Sequence, residues 1–425
     1  MSRRPVELGL RENLPQFSLL VALNALVGAM VGLERSTLPL IGDAEFGLGS
    51  SAAVLSFIVA FGFAKSFTNL GAGALAARMG RKRLLVIGWI LALPVPLLVG
   101  IAPSWAWIVI ANVFLGVNQG LAWSMTVVMK IDLVGPRRRG LALGLNESAG
   151  YGGVALAAAL AGWLASEFVA RDVLVAGGAA VAVAGLLISL LLVRDTASHV
   201  AFEQARDHDQ GQSAPPMRTT FPAATYRDSA LRSCSQAGLV NNLNDALVWG
   251  LVPLFLAAEG ASVGEVGLVA GLYPAVWGIG QIGSGHWSDT LGRKPLIVAG
   301  MLIQAAALAL LAASDGGIAL AAVAAVVLGA GTALVYPTLI AAISDAVSPV
   351  ARASTVGVYR FWRDMGYVVG GLAVGFLADA IEPAATIAVV AGLTAMSGLW
   401  VAVDLPGARA RHPAMTGPSQ TVTGQ

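Results

Sequence analysis

The stretch Gly283-Ser284-Gly285-His286-Trp287-Ser288-Asp289-Thr290-Leu291-Gly292-Arg293-Lys294-Pro295 is short, polar and basic, and it lies between two long apolar runs. An earlier stretch, Gly73-Ala74-Leu75-Ala76-Ala77-Arg78-Met79-Gly80-Arg81-Lys82, echoes it. Gly285, Gly292, Arg293 and Lys294 match Gly73, Gly80, Arg81 and Lys82 at a spacing of 212 (292 − 80). A second echo has nearly the same period: Asp132, Pro136, Arg139 and Gly144 recur 213 positions later as Asp345, Pro349, Arg352 and Gly357. Pro39 and Pro253, 214 apart, make a third. Three echoes in order at one period describe a chain built from two copies of one half.

What surrounds these loops is apolar. Of 425 residues, 56% are hydrophobic and 12% charged, and the mean hydropathy is +0.75. Soluble domains carry about 25% charged residues, so this surface is not made for water. About twelve runs approach or reach the ~20 residues a helix needs to cross a bilayer core. They fall at 17–40, 51–77, 84–103, 106–130, 140–166, 173–193, 235–257, 264–288, 296–314, 317–343, 353–378 and 384–404. In lipid a segment of that length satisfies its own backbone only as a helix. The expectation is an all-α membrane protein of two six-span bundles, residues 1–200 and 233–425, joined by a linker at 201–232. The second bundle ends in a short tail. The linker's arginines and Pro215-Pro216 read as a partly disordered or surface-lying segment.

Charge sets the expected orientation. With the N-terminus inside, inner loops hold Arg78 to Arg83, Lys130, Arg137 to Arg139, Arg293-Lys294 and Arg352. Outer loops hold Asp43, Glu45, Glu167, Asp172, Glu259, Glu265, Asp315, Asp379 and Glu382 against one basic residue, Arg171. Both termini are then cytoplasmic, in the cell's plasma or inner membrane. An even span count per half makes the repeats parallel. The lone Cys234 forms no internal disulfide, and the basic residues sit between spans, so nucleic acid is not implied.

A charge inside a span costs several kcal/mol unless it meets a partner or water. Eight fall there away from the span ends: Glu34, Arg35, Lys65, Glu147, Asp245, Arg360, Arg363 and Asp364. Spans 3, 6, 9 and 12 hold none away from their ends, which makes them the lipid-facing outer helices and leaves the others to enclose a polar path. Arg360 and Asp364, four apart, share a face and either neutralise each other or face the path. Glu34 and Arg35, adjacent, point about 100° apart and must each look elsewhere. Lys65 lies mid-span. Asp245 is deep among Asn241, Asn242 and Asn244. Glu147 and Arg360 are repeat mates (360 − 147 = 213), so a cross-half ion pair is one reading, fixed or opening. Asn112, Asn118, Gln119, Trp123, Tyr273, Trp277 and Gln281 are weaker candidates, since polar residues also glue membrane helices together.

The motif Gly285-x-x-x-Asp289-x-x-Gly292-Arg293-Lys294 is similar to the loop signature of the major facilitator superfamily, at the place where that family carries its second copy. The first copy, from Gly73 through Gly80 and Arg81, has Ala77 in the aspartate's position. The resemblance covers nearly the whole chain and implies a secondary active transporter working by alternating access, not an enzyme. It needs no cofactor and no metal. Its partners would be a small solute, protons and the bilayer, and the chain would act as a monomer. Proton-coupled efflux by antiport is the preferred form. An uncoupled facilitator, a proton symporter of a small organic or anionic solute, and a receptor are the alternatives. The arginine that proton-linked members often carry in span 4 falls at Asn112, and Gly150-Tyr151-Gly152-Gly153 lacks the antiporter signature's proline. By analogy Asp289 would latch the start of span 5 near Arg137 to Arg139, while Ala77 leaves the matching latch unmade. Asp245 and Glu34 are the candidate proton carriers. Arg35, Lys65 and Arg363 would contact an anionic or zwitterionic solute or set carboxylate affinities.

Overall fold

A computed structural model describes residues 6–135, 139–206, 216–315, 317–347 and 349–406, and among them there is no strand. The first half runs α1 (Leu14–Ala44), α2 (Ser51–Met79), α3 (Arg81–Ala92), α4 (Pro94–Ile101), α5 (Trp105–Val134), α6 (Arg139–Glu167) and α7 (Ala170–Leu191). The third span is thus two helices. Pro94 has no N–H to give and its ring crowds the preceding turn, so α3 stops and α4 restarts. The second half runs α10 (Ser229–Ala258), α11 (Val263–Leu291), α12 (Arg293–Ala312), α13 (Ile318–Ala346), α14 (Pro349–Ala380) and α15 (Pro383–Asp404).

Among the described residues, eleven spans are long and apolar enough to cross a membrane. The twelfth is α14, whose 32 residues suffice in length but carry Arg360, Arg363 and Asp364. Between α7 and α10 lie α8 (Ala197–Arg206), which starts ahead of the expected linker, α9 (Met217–Pro222) and a π-helical turn at Ala223–Arg227. α10 starts earlier than its hydropathy suggests, because the Asp228 side chain accepts the Leu231 amide (2.9 Å) and caps it.

Packing repeats with the sequence. α1 lies along α6 as α10 lies along α14; α2 lies along α5 as α11 lies along α13; α3 meets α5 as α12 meets α13. Between halves the partners exchange, α2 against α14 and α6 against α11, with α1 meeting α10. That exchange is what a two-fold axis produces.

The quoted loops explain why both copies keep their residues. Gly80 (φ 87°) ends α2 and Gly292 (φ 89°) ends α11, a backbone region that favours glycine. Each turn lets the next arginine reach the far end of a neighbouring helix: Arg81 Nε to Asp132 Oδ2 at 2.9 Å and Arg293 Nε to Asp345 Oδ2 at 3.0 Å. Two sequence echoes therefore meet in one ion pair, made twice. All these residues lie at the end of the molecule that holds the basic loops.

The helices α4, α7, α12 and α15 turn large apolar side chains outward, among them Leu97 and Ile101, Leu187 and Leu191, Leu302, and Met396 and Val403, as do α6, α11 and α14 at Leu156, Ile279 and Phe376. Glu34, Arg35, Lys65, Glu147, Asp245, Arg363 and Asp364 are all buried.

Candidate functional site

Arg363 sits at the middle of α14, where the helix passes between the bundles. Its Nε donates to Asn242 Oδ1 (3.1 Å), its Nη1 to the Tyr336 hydroxyl (3.0 Å) and its Nη2 to the Tyr151 hydroxyl (2.7 Å). Tyr151 belongs to α6, so one fork of the guanidinium crosses the seam. The guanidinium also lies 4.0 Å from the Tyr336 ring centroid. Tyr151 stacks on Trp277 of α11 at 3.5 Å, and Trp123 and Tyr336 stand at 5.3 and 6.2 Å from Tyr151.

The next residue, Asp364, points to the other bundle. It pairs with Lys65 Nζ at 3.6 Å and accepts from Asn69 Nδ2 at 2.5 Å; Asn69 in turn accepts from Ser124 Oγ (2.9 Å). Lys65 lies 5.4 Å from the rings of Phe61 and Tyr367. A carboxylate turned across the seam is not available to its own helix. Among the described residues no ion pair joins Arg360 to Asp364, although they are four apart. Nor does Arg360 meet Glu147, which accepts from Trp123 Nε1 (2.9 Å) and Asn146 Nδ2 (3.1 Å). Arg360 is half-buried and its Nε bonds to nothing described.

Asp245 has no basic partner among the described residues. Its carboxylate accepts from the hydroxyls of Tyr273 and Tyr367, the latter at 3.2 Å. Glu34 Oε2 and all three guanidinium nitrogens of Arg35 have no hydrogen-bond partner among the described residues. Arg35 instead lies among rings, 4.6 Å from Phe61, 5.2 Å from Phe57 and 5.8 Å from Trp249.

Two expected path residues belong elsewhere. Asn241 accepts from Gln304 (3.0 Å), which itself accepts from Asn244 (2.9 Å), and so fastens α10 to α12. Gln119 donates to the Val27 carbonyl (2.8 Å) and fastens α5 to α1. Both are interhelical glue. Trp277 is in the core. Gly73, Gly80, Arg81, Gly292 and Arg293 stand at the basic end with Gly285 in α11. The side chains of Asp289, Ala77 and Arg139 lie outside the described residues, as do Arg137 and Arg138, and with them the latch.

Sequence reasoning did not single out Tyr151 and Tyr336 for the site. A signal existed: they are the repeat mates of Asp364 (364 − 151 = 213) and Trp123 (336 − 123 = 213), just as Trp277 mates with Lys65 (277 − 65 = 212).

At the acidic end the bundles touch closely. Asp379 of α14 accepts from Ser50 Oγ (2.6 Å) and from the amides of Ser51 (2.6 Å) and Ala52 (3.2 Å), capping α2 across the seam. A β-carbon on Gly162 would stand 2.5 Å from the Gly267 Cα, and one on Gly375 2.6 Å from that of Ala52. Toward the basic end Gly73, Gly144 and Gly357 face open space among the described residues.

A family model described as the Major Facilitator Superfamily matches residues 17–232 and 235–423. The chain is 27% identical over 234 residues to a "Probable 4-methylmuconolactone transporter" of Cupriavidus pinatubonensis, covering 54% of this chain and 52% of that one. It is 31% identical over 215 residues to the 3-(3-hydroxy-phenyl)propionate transporter of Escherichia coli, 49% of each chain. With Multidrug resistance protein MdtH of Aeromonas salmonicida it shares 34% over 119 residues, 28% of this chain and 30% of the relative. The chain thus spans about half or less of the length of these relatives. Among solved structures, the xylose transporter XylE from E. coli in a partially occluded inward open conformation superimposes with a TM-score of 0.72 at 14% identity, covering 94% and 99% of the two chains. That likeness is one of fold.

Proposed function

Because the chain belongs to the major facilitator superfamily, we propose that it is a secondary active transporter that carries a small ring-bearing organic acid through the seam between its bundles, coupled to protons. The observation that carries the reading is the core at Arg363: a guanidinium shared by α6, α10, α13 and α14, beside a stacked tyrosine and tryptophan and the Lys65–Asp364 pair. Aromatic faces suit a ring, and the buried cations around this core, Arg35 among them, suit its anionic group. Two relatives are named for ring compounds, a phenylpropionate and a lactone, which supports the same class.

The structure's closed acidic end and looser basic end suit one state of a rocking cycle. With the basic loops inside, that state faces the cytoplasm. Breaking the Tyr151–Arg363 bond would free one fork as the seam widens. Asp245, held by two phenols rather than by a cation, is the proton carrier, with Glu34 second.

Purified protein in vesicles tests this. An imposed pH gradient should drive 3-(3-hydroxyphenyl)propionate movement, and collapsing the gradient should stop net accumulation. Asp245→Asn should abolish the driven phase and leave exchange at equal pH. Full gradient-driven accumulation by Asp245→Asn removes that residue from the coupling. The likeness to a protein named for multidrug resistance favours a second reading, proton-linked efflux of drugs. It predicts drug-driven proton release and no response to the acid.

A further inference from the structure

Arg35 differs from the other buried cations. Lys65 faces Asp364, and Arg363 spends its donors on two tyrosines and an asparagine. Arg35, fully buried, has rings around it but no acceptor for Nε, Nη1 or Nη2 among the described residues. Rings can attract a guanidinium through their faces, but they offer its N–H groups no oxygen acceptor. Glu34, its neighbour in sequence, makes no bond to it. Beside it the indole Nε1 of Trp249, also buried, has no acceptor either.

Removing a guanidinium from water with no acceptor is costly, and the neighbouring Trp249 ring, its centroid 5.8 Å from the guanidinium carbon, carries a further unpartnered N–H donor. The need is for a group that only accepts, has two oxygens to match the planar fork, and brings an apolar body that tolerates aromatic walls. Phe57 and Phe61 come from α2 and Trp249 from α10, while Arg35 is on α1. The box is therefore built by both bundles and widens when they part. Arg35 and Trp249 are also repeat mates (249 − 35 = 214), so they face each other about the same axis that relates the halves.

We propose that Arg35, assisted by the Trp249 indole N–H, is the receptor for the carboxylate of the transported acid. Arg363, already bonded on three sides, serves to join the bundles. The inference rests on the solute being a ring-bearing acid, as argued above.

Thermal unfolding of the full-length purified protein tests it, using 3-(3-hydroxyphenyl)propionate, benzoate and the primary amide of each. In the wild type the acids should stabilise and the amides should not. Arg35→Gln should erase that preference, and Arg35→Lys, which keeps the charge without the fork, should weaken acid binding at least tenfold. Acids that stabilise Arg35→Gln or Arg35→Lys as they do the wild type overturn the assignment while leaving the transport reading intact. A wild type that never prefers acid to amide also overturns it. Arg35-dependent acid binding without movement of the acid in vesicles supports the site and sinks the transport reading instead.

Discussion

Arg363 is held by three neutral acceptors, and its reach depends on the width of its fork. A lysine at 363 presents one compact ammonium and cannot hold Tyr336, Asn242 and Tyr151 together. Each hydrogen bond to a charged group is worth about 1.5–3 kcal/mol, and about 1.4 kcal/mol is tenfold. Arg363→Lys is therefore expected to slow vesicle transport by tenfold or more, and Tyr151→Phe, which deletes only the bond across the seam, by about tenfold. Wild-type initial rates in both would remove this guanidinium from the mechanism. How legible these residues are in the sequence follows from cost. A charge inside an apolar run is conspicuous because lipid penalises it, so Arg363, Asp364, Lys65 and Asp245 announce themselves. Tyrosine in a membrane helix carries no such penalty. Tyr151 and Tyr336 become visible only once the period of the repeat is applied to their charged or aromatic mates.

Between elements, the same bracket is made twice but not in the same surroundings. Asp132 is 10% exposed and also accepts the Thr196 hydroxyl at 2.6 Å, whereas Asp345 is 53% exposed. Exposed pairs contribute about 0–1 kcal/mol, and buried ones lose more when one partner is removed. Asp132→Asn should lower the melting temperature more than Asp345→Asn, and added salt should shrink only the second effect. Equal losses would mean that the two brackets carry the same load despite their burial. The sequence contains both halves of each bracket as separate echoes, arginines at one period and aspartates at the same. Their meeting across 51 residues (132 − 81) is tertiary, and no local pattern encodes it. Asn241 shows the opposite case. A polar run in a span reads as path-lining, yet Gln304 on α12 offered the partner that turned Asn241 toward a neighbouring helix instead.

At the scale of the molecule, the exchanged contacts of α2 with α14 and α6 with α11 set the axis about which two like bundles would rock. Hydropathy and the 212–214 spacing made that arrangement readable in advance, because lipid dictates helices and duplication dictates symmetry. Which end holds the tight contacts between bundles was not readable, since it depends on glycine approaches and on the cap of α2 by Asp379. That cap provides the direct test of rocking. Ser50 and Asp379 touch across the seam at the acidic end, and the native Cys234 is buried. In Ser50→Cys/Asp379→Cys protein reconstituted in vesicles, oxidation should join the bundles at that end and stop transport of 3-(3-hydroxyphenyl)propionate, and reduction should restore it. Transport that continues undiminished through quantitatively cross-linked protein would contradict alternating access along this seam.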